Sequence, residues 1–287
     1  LNSNDTMAEA TGAHILSLDL DGFTVDDIDT GTSNESGDNY VAWCWDMGGS
    51  NASLTAGSIN STVRANPTYG QSIVSYTGNG TAGATVGHGL SSAPEMIIVK
   101  GRNRVEDWGV GHTSLGWTKF IRLNTTGAEA TATSLWNDTA PSNTLVTLGD
   151  SGIANNSSST TMIMYCFHSV TGYSKFGSYQ ANDSTTGPTI TTGFKPAFVM
   201  IKCTSDGGSD RDWTMFDNTR SPTNTINLNL KANEYLAENA NSRVPLIDFN
   251  DTNFQLRSSH GETNGGSETY IYMAFADKRE YAYWLDQ

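Results

Sequence analysis

An internal repeat constrains this chain more than any other feature, because a repeated stretch must fold as one supersecondary unit used more than once. Residues 72–100 read SIVSYTGNGTAGATVGHGLSSAPEMIIVK, and residues 176–202 read FGSYQANDSTTGPTITTGFKPAFVMIK. Both contain Ser-Tyr, a Gly/Asn/Thr turn, a Gly-Leu or Gly-Phe, a Pro, and an apolar run ending in Lys. Tyr76 thus matches Tyr179, Pro94 matches Pro196 and Lys100 matches Lys202, at shifts of 103, 102 and 102 residues. Further on, Asp107-Trp108 matches Asp212-Trp213, and Leu123-Asn124 is aligned with Leu228-Asn229, both shifted by 105. The units close with TMIMYCFHS at 161–169 and TYIYMAFAD at 269–277.

The N-terminal stretch fits the same scheme. YVAWCWDMG at 40–48 has the form of a closing strand, with Cys44 at the place of Cys166 and Ala274. Gly22-Phe23 precedes it as Phe254 precedes Ala274, and Leu1-Asn2 begins where Leu123-Asn124 sits. The expected organisation is therefore residues 1–47 as the second half of a truncated unit, 48–71 as a polar connector with a short strand signal, SINSTV, 72–170 and 171–277 as complete units, and 278–287 as a tail. The half unit is expected to pack against strands from outside the chain's numbering or from a neighbouring subunit.

Composition supports strands and argues against long helices. Charged residues make up 16% and aromatic residues 10%, with 29 Gly, while the Ala, Leu, Glu and Lys of long helices are thin. Thr, Tyr, Ile and Val between Gly/Asn/Ser turns read as short strands joined by tight loops. In Tyr270–Phe275, Tyr270, Tyr272 and Ala274 face one way while Ile271, Met273 and Phe275 face the other. Both sets are apolar, so this strand is expected to be central and covered on both faces. The fold class that follows is all-β: tandem antiparallel β-sandwich, jelly-roll-like repeats of about 100 residues. The one helical candidate is Lys231–Glu238.

Charge excludes some partners. The net charge of −14 repels phosphate backbones, so nucleic-acid binding is not expected, and no apolar run is long enough for membrane insertion as a helix. Cys44, Cys166 and Cys203 lie in apolar surroundings without C-x-x-C spacing and read as free buried thiols. Asp19, Asp21, Asp26, Asp27 and Asp29 lack the EF-hand spacing and read as a solvated hairpin loop. His168, two residues after Cys166, has no further ligand at usable spacing, so neither a metal nor a cofactor is expected. No nucleophile-elbow, zinc-protease, phosphate-loop or dinucleotide fingerprint occurs, and the chain does not read as an enzyme. Trp108 and Trp213 occupy equivalent places and read as core anchors. Trp117, Trp136, Tyr235 and Trp284, without counterparts in the other unit, are the candidate contact residues for a sugar ring.

The strings SINSTVRANPTYGQSIVSYTGNG, VGHGLSSAPEMIIVK, MYCFHSVTGYSKFGSY and TGPTITTGFKPAFVMIK resemble a repeat of tail-fibre and virion structural proteins of marine tailed phages, the cyanophage type included. The resemblance runs through the whole chain and transfers no functional residues. It implies a virion protein on the particle surface that attaches the phage to a glycan or protein receptor of its host. The alternative it leaves is a structural or decorating element without a receptor. It also implies other virion proteins as partners and a homo-oligomer, a trimer by analogy with phage fibres, with Tyr281, Tyr283 and Trp284 as interface candidates.

Overall fold

Runs of Thr, Val, Ile and aromatic residues between Gly- and Asn-rich turns form strands here, and the computed structural model is almost wholly β. It describes residues 1–10, 14–20, 22–26, 33–156, 159–238 and 245–277. Helix among these is confined to one turn, Thr133–Trp136, and a 3-10 turn, Thr113–Leu115. The expected helix at Lys231–Glu238 does not form. Lys231 instead pairs with Thr214 at a sheet edge, and the Ala232 amide donates to the Trp213 carbonyl. The start of the segment is thereby held extended, and no first helical turn closes.

All strand ladders among the described residues are antiparallel. The first large sheet has eight strands in the order Ala130–Thr131, Lys119–Arg122, Gly109–His112, Met96–Gly101, Thr161–Phe167, Gln71–Thr77, Ser61–Asn66 and Ala52–Leu54. Facing it is a two-stranded sheet, Leu145–Leu148 with Ala84–Gly87. The second large sheet has five strands: Ser174–Gln180, Thr269–Phe275, Phe198–Cys203, Thr214–Asp217 and Leu230–Lys231. Its small partner joins Thr189–Thr191, Asn253–Leu256 and Ile247–Asn250. A separate hairpin pairs Ile15–Leu18 with Phe23–Val25.

Residues 48–71 are more than a connector, since Ala52–Leu54 and Ser61–Asn66 extend the first large sheet. The alternation in Ser61–Asn66, with Ser61 and Val63 buried and Thr62 and Arg64 exposed, is that of a strand with one covered face.

Three cores follow from the two faces of each large sheet. Val74, Tyr76, Val99, Met162 and Met164 pack toward Val86, Val146 and Leu148 of the small sheet. Val199, Ile201, Tyr270, Tyr272 and Ala274 pack toward Phe249, Phe254 and Leu256. Between the two large sheets lies a shared core, in which Met96, Trp108, Ile121 and Phe167 meet Phe176, Trp213, Met273 and Phe275. The strand Thr269–Phe275 is central in its sheet and divides its side chains between the shared and outer cores in the expected alternation.

Residues 40–48 lie in no strand, and Cys44 is exposed, not buried; Cys166 and Cys203 are buried and free. A closing strand needs flanking strands to accept its hydrogen bonds, and the first sheet's central position is already taken by Thr161–Phe167. The aromatic side chains of the segment nevertheless reach the shared core. Trp45 meets Phe198 and Phe275 edge-on at 5.5 and 5.6 Å, and Trp43 meets Phe198 at 5.4 Å.

Candidate functional site

Two extended straps, residues 2–9 and 122–129, cross the first and second large sheets and make the same three contacts 120 positions apart. The Trp108 indole donates to the Asn2 carbonyl at 2.9 Å, and the Trp213 indole donates to the Arg122 carbonyl at 2.8 Å. Lys100 Nζ donates to the Thr6 carbonyl at 3.3 Å, and Lys202 Nζ to that of Thr126 at 2.9 Å. The Glu9 amide donates to the Arg102 carbonyl at 2.6 Å, and the Glu129 amide to that of Thr204 at 2.9 Å.

These contacts follow from where each donor sits. Lys100 and Lys202 end apolar strands and are fully buried, so their ammonium protons need acceptors inside the protein. Beyond the straps they find the Gly101 and Arg104 carbonyls at 2.9 and 3.2 Å, and the Cys203 carbonyl at 2.9 Å. Burial pulls the Lys202 pKa down to about 8 and lowers that of Lys100. Each ammonium therefore depends on strap carbonyls for part of its solvation. On the first strap, Arg102 and Glu9 add a bidentate ion pair at 2.5 and 2.8 Å.

Each strap is launched from a polar corner. Asn124 accepts the Trp108 amide at 3.0 Å and donates to Asp107 at 2.9 Å, and Asn233 does the same for Trp213 and Asp212 at 2.7 and 2.6 Å. Arg122 and Lys231 fill the remaining carboxylate oxygen, each at 2.6 Å. The structural counterpart of Leu123-Asn124 is therefore Ala232-Asn233, a shift of 109. The aligned Leu228-Asn229 is an identity match that lies four residues too early. At this corner Lys231 also bonds Glu262, which takes a hydrogen bond from Thr214 at 3.1 Å. Burial works against the Lys231 ammonium, but hydrogen bonds to Asp212 and Glu262 outweigh it and raise its pKa. Lys231 thus bridges two buried carboxylates and gives a hydrogen bond to each.

The candidate contact aromatics do not converge. Trp136 is fully buried and Trp117 packs edge-on against it at 5.6 Å, so this pair belongs to the first outer core. Tyr235 is 88% exposed. Trp284, with Tyr281, Tyr283 and the rest of 278–287, lies outside the described residues. Trp108 and Trp213 are buried anchors whose indole nitrogens hold the straps. Of the acidic loop, Asp21, Asp27 and Asp29 lie outside the described residues. Asp26 is buried 3.8 Å from His14, and Asp19 accepts from Thr24 at 3.1 Å. Among the described residues no three metal-ligating side chains come together.

A cavity of about 470 Å³ opens between the large sheets where the strap beginnings meet, its lining including Trp43, Trp108, Tyr165, Met200 and Met273. The walls are almost entirely apolar, unlike a sugar site, which needs several fixed polar partners. The straps were legible in sequence through a triplet the repeat alignment passed over: Met7-Ala8-Glu9, Gly127-Ala128-Glu129 and Leu236-Ala237-Glu238.

One family model matches residues 1–279, taking in both pairs of sheets and both straps. The chain belongs to that family, Domain of unknown function (DUF7483). No curated protein and no solved structure matches it. In this DUF7483 chain the strap junction, made of a buried Trp, a buried Lys and a strand carbonyl, occurs twice.

Proposed function

We propose that this protein is a virion fibre protein built from tandem β-sandwich, jelly-roll-like repeats, each locked to the next by a strap, and that it serves attachment to the host surface. The observation that carries the reading is the strap junction, made twice with the same indole, ammonium and amide contacts. A junction that recurs between consecutive units locks them to one another, which gives the rigidity that a load-bearing fibre needs. The resemblance of the repeat strings to phage tail-fibre proteins supplies the setting: particle surface, other virion proteins as neighbours, and a homotrimeric assembly.

The purely structural reading gains from one observation. Trp117 and Trp136 are spent on the core, and the apolar cavity between the large sheets lacks the polar groups that a glycan would need. Two experiments separate the readings. Immunogold labelling of particles is expected to place the protein on the tail fibres; labelling of capsid alone removes the fibre role. Fluorescent protein is expected to bind susceptible cells and spare resistant ones; equal or no binding leaves a structural element. Mass measurement of the purified chain is expected to give three copies, and a monomer at micromolar concentration removes the trimer.

A further inference from the structure

We infer that this chain presents a built docking surface for a half repeat unit, which together with residues 1–47 closes the molecule into three units around a common axis. The inference rests on the repeat reading proposed above. The partner is a stretch of polypeptide like residues 174–230, carrying a buried Trp, a buried Lys and strands that form the large sheet.

Three separate features of the structure are left uncovered at the same place in the repeat. The first is a third strap. Lys231 stands where Arg122 and Asn2 stand, which makes residues 231–238 the counterpart of 122–129 and 2–9. Residues 125–129 are half-buried on the second sheet, whereas 235–238 are all exposed. The carbonyls of Lys231 and Tyr235 correspond to those of Arg122 and Thr126. Among the described residues, no indole or ammonium reaches them.

The second feature is the hairpin Ile15–Leu18 with Phe23–Val25. When Phe23 is placed on Phe254, Leu16 and Leu18 fall on Ile247 and Phe249. Ile247, Phe249 and Phe254 are at most 3% exposed against their large sheet, whereas Leu16, Leu18 and Phe23 are 59%, 79% and 37% exposed. Among the described residues, no large sheet covers the apolar face of this hairpin.

The third feature is the segment 40–48. The Asp46 carbonyl accepts from Gln71 at 2.7 Å, as the His168 carbonyl accepts from Ser174 at 3.2 Å. Trp45 then corresponds to Phe167 and Phe275. Trp45 lies 5.6 Å and Phe167 6.0 Å from Phe275, so equivalent residues of three closing segments gather at one centre. The segment thus lies where a closing strand lies in the other units, and among the described residues no strand flanks it.

One partner covers all three. Its large sheet would lie on the hairpin and pair with residues 40–46, and its Trp and Lys would take the carbonyls of residues 231–238. Its side chain corresponding to Ile98 and Met200 would enter the open side of the cavity. By register Leu1 takes the place of Ile121 and Leu230, so a half unit grafted before Leu1 continues into the first strap in the register of the other two.

The test is a chain with a copy of residues 171–229 placed immediately before Leu1, read by amide hydrogen exchange and by an apolar dye. In the unmodified chain, the Glu9 and Glu129 amides are expected to be protected and residues 235–238 to exchange freely; unprotected Glu9 and Glu129 would remove the repeat reading itself. In the grafted chain, residues 235–238 are expected to slow by about tenfold or more, and dye fluorescence from the hairpin and cavity is expected to fall. A graft carrying Trp213→Phe and Lys202→Met in its own copy is expected to lose the 235–238 protection while still lowering dye fluorescence. A second graft, of residues 68–120, guards against failure of the first to fold. If neither graft protects 235–238 while Glu129 stays protected, the docking surface is refuted.

Discussion

A buried hydrogen-bonding side chain matters most for the partner it would leave behind, and the strap anchors show this at the scale of single residues. Replacing Trp213 by Phe keeps most of the ring but strands the Arg122 carbonyl, which now accepts the indole at 2.8 Å. The expected cost is about 1–3 kcal/mol, with faster amide exchange over 123–129 and no change over 3–9, measured by urea unfolding and exchange mass spectrometry. His112 gives a pH-dependent counterpart. It is fully buried, its Nδ1 accepts the Ser114 amide at 3.1 Å, and burial holds its pKa down at about 4. As pH falls, the unfolded chain takes up that proton near pH 6.5 and the folded chain does not. The contribution is therefore complete above pH 6.5 and is lost between 6.5 and 4, amounting to about 3 kcal/mol at most. Urea midpoints at pH 7 and 4.5 are expected to differ more for the native protein than for His112→Gln; equal differences would remove His112 as the cause.

Strands and turns tell the same story one level up, where the repeat was partly readable. The closing strand Thr269–Phe275 was legible because both of its alternating sets are apolar, a pattern that only a doubly covered strand explains. Residues 40–48 carry a similar pattern but form no strand, because pairing depends on neighbours that the segment's own sequence does not encode. The straps contain no apolar period, and only the short triplet ending in Glu9, Glu129 and Glu238 marks them, because their junction contacts use backbone carbonyls that any residue supplies. The loop latches were equally hidden. Asn155 and Asn264, both fully buried, each tie together loops that are distant in sequence. Asn155 accepts the Asn79 amide at 2.9 Å and donates to Gly149 and Thr81 at 2.8 and 2.9 Å. Asn264 accepts the Asn182 amide at 3.0 Å and donates to Ser184 and Ser258 at 2.8 and 3.0 Å. Above them Tyr76 and Tyr179 donate to the Ala154 and Thr263 carbonyls at 2.5 and 2.6 Å. An Asn in an Asn-rich chain carries no visible mark of such a role. Asn264→Ala leaves four groups without their partner, the Asn182 side-chain oxygen among them, so a loss of about 2–4 kcal/mol is expected. Asn264→Asp keeps the acceptor but turns a buried carboxylate oxygen onto the Ser184 and Ser258 carbonyls, so it is expected to cost at least as much as Ala. Thermal unfolding checks the order, and an Ala variant as stable as the native protein would show that water replaces the side chain.

Across the whole molecule, the shared core decides whether the two sheet pairs behave as one body. Phe167 stacks on Phe176 at 6.0 Å and meets Phe275 edge-on at 6.0 Å, so rings from both large sheets interlock. The strap adds covalent continuity, because residues 122–129 leave the first sheet and are held by Trp213 and Lys202 of the second. Unfolding either sheet pair would expose the other's half of the shared core to water, at roughly 25 cal/mol for each Å² of apolar surface. That coupling opposes a half-unfolded state, and a single calorimetric transition is expected in place of two. The decisive variant is Phe254→Ala, buried in the second outer core and away from the shared one. Its cavity is expected to cost about 3–5 kcal/mol, which for a chain of this size lowers the midpoint by on the order of ten degrees. If the sheet pairs are coupled, the whole transition moves down and stays single. If they are independent, calorimetry shows the second pair melting early while the first keeps its native midpoint.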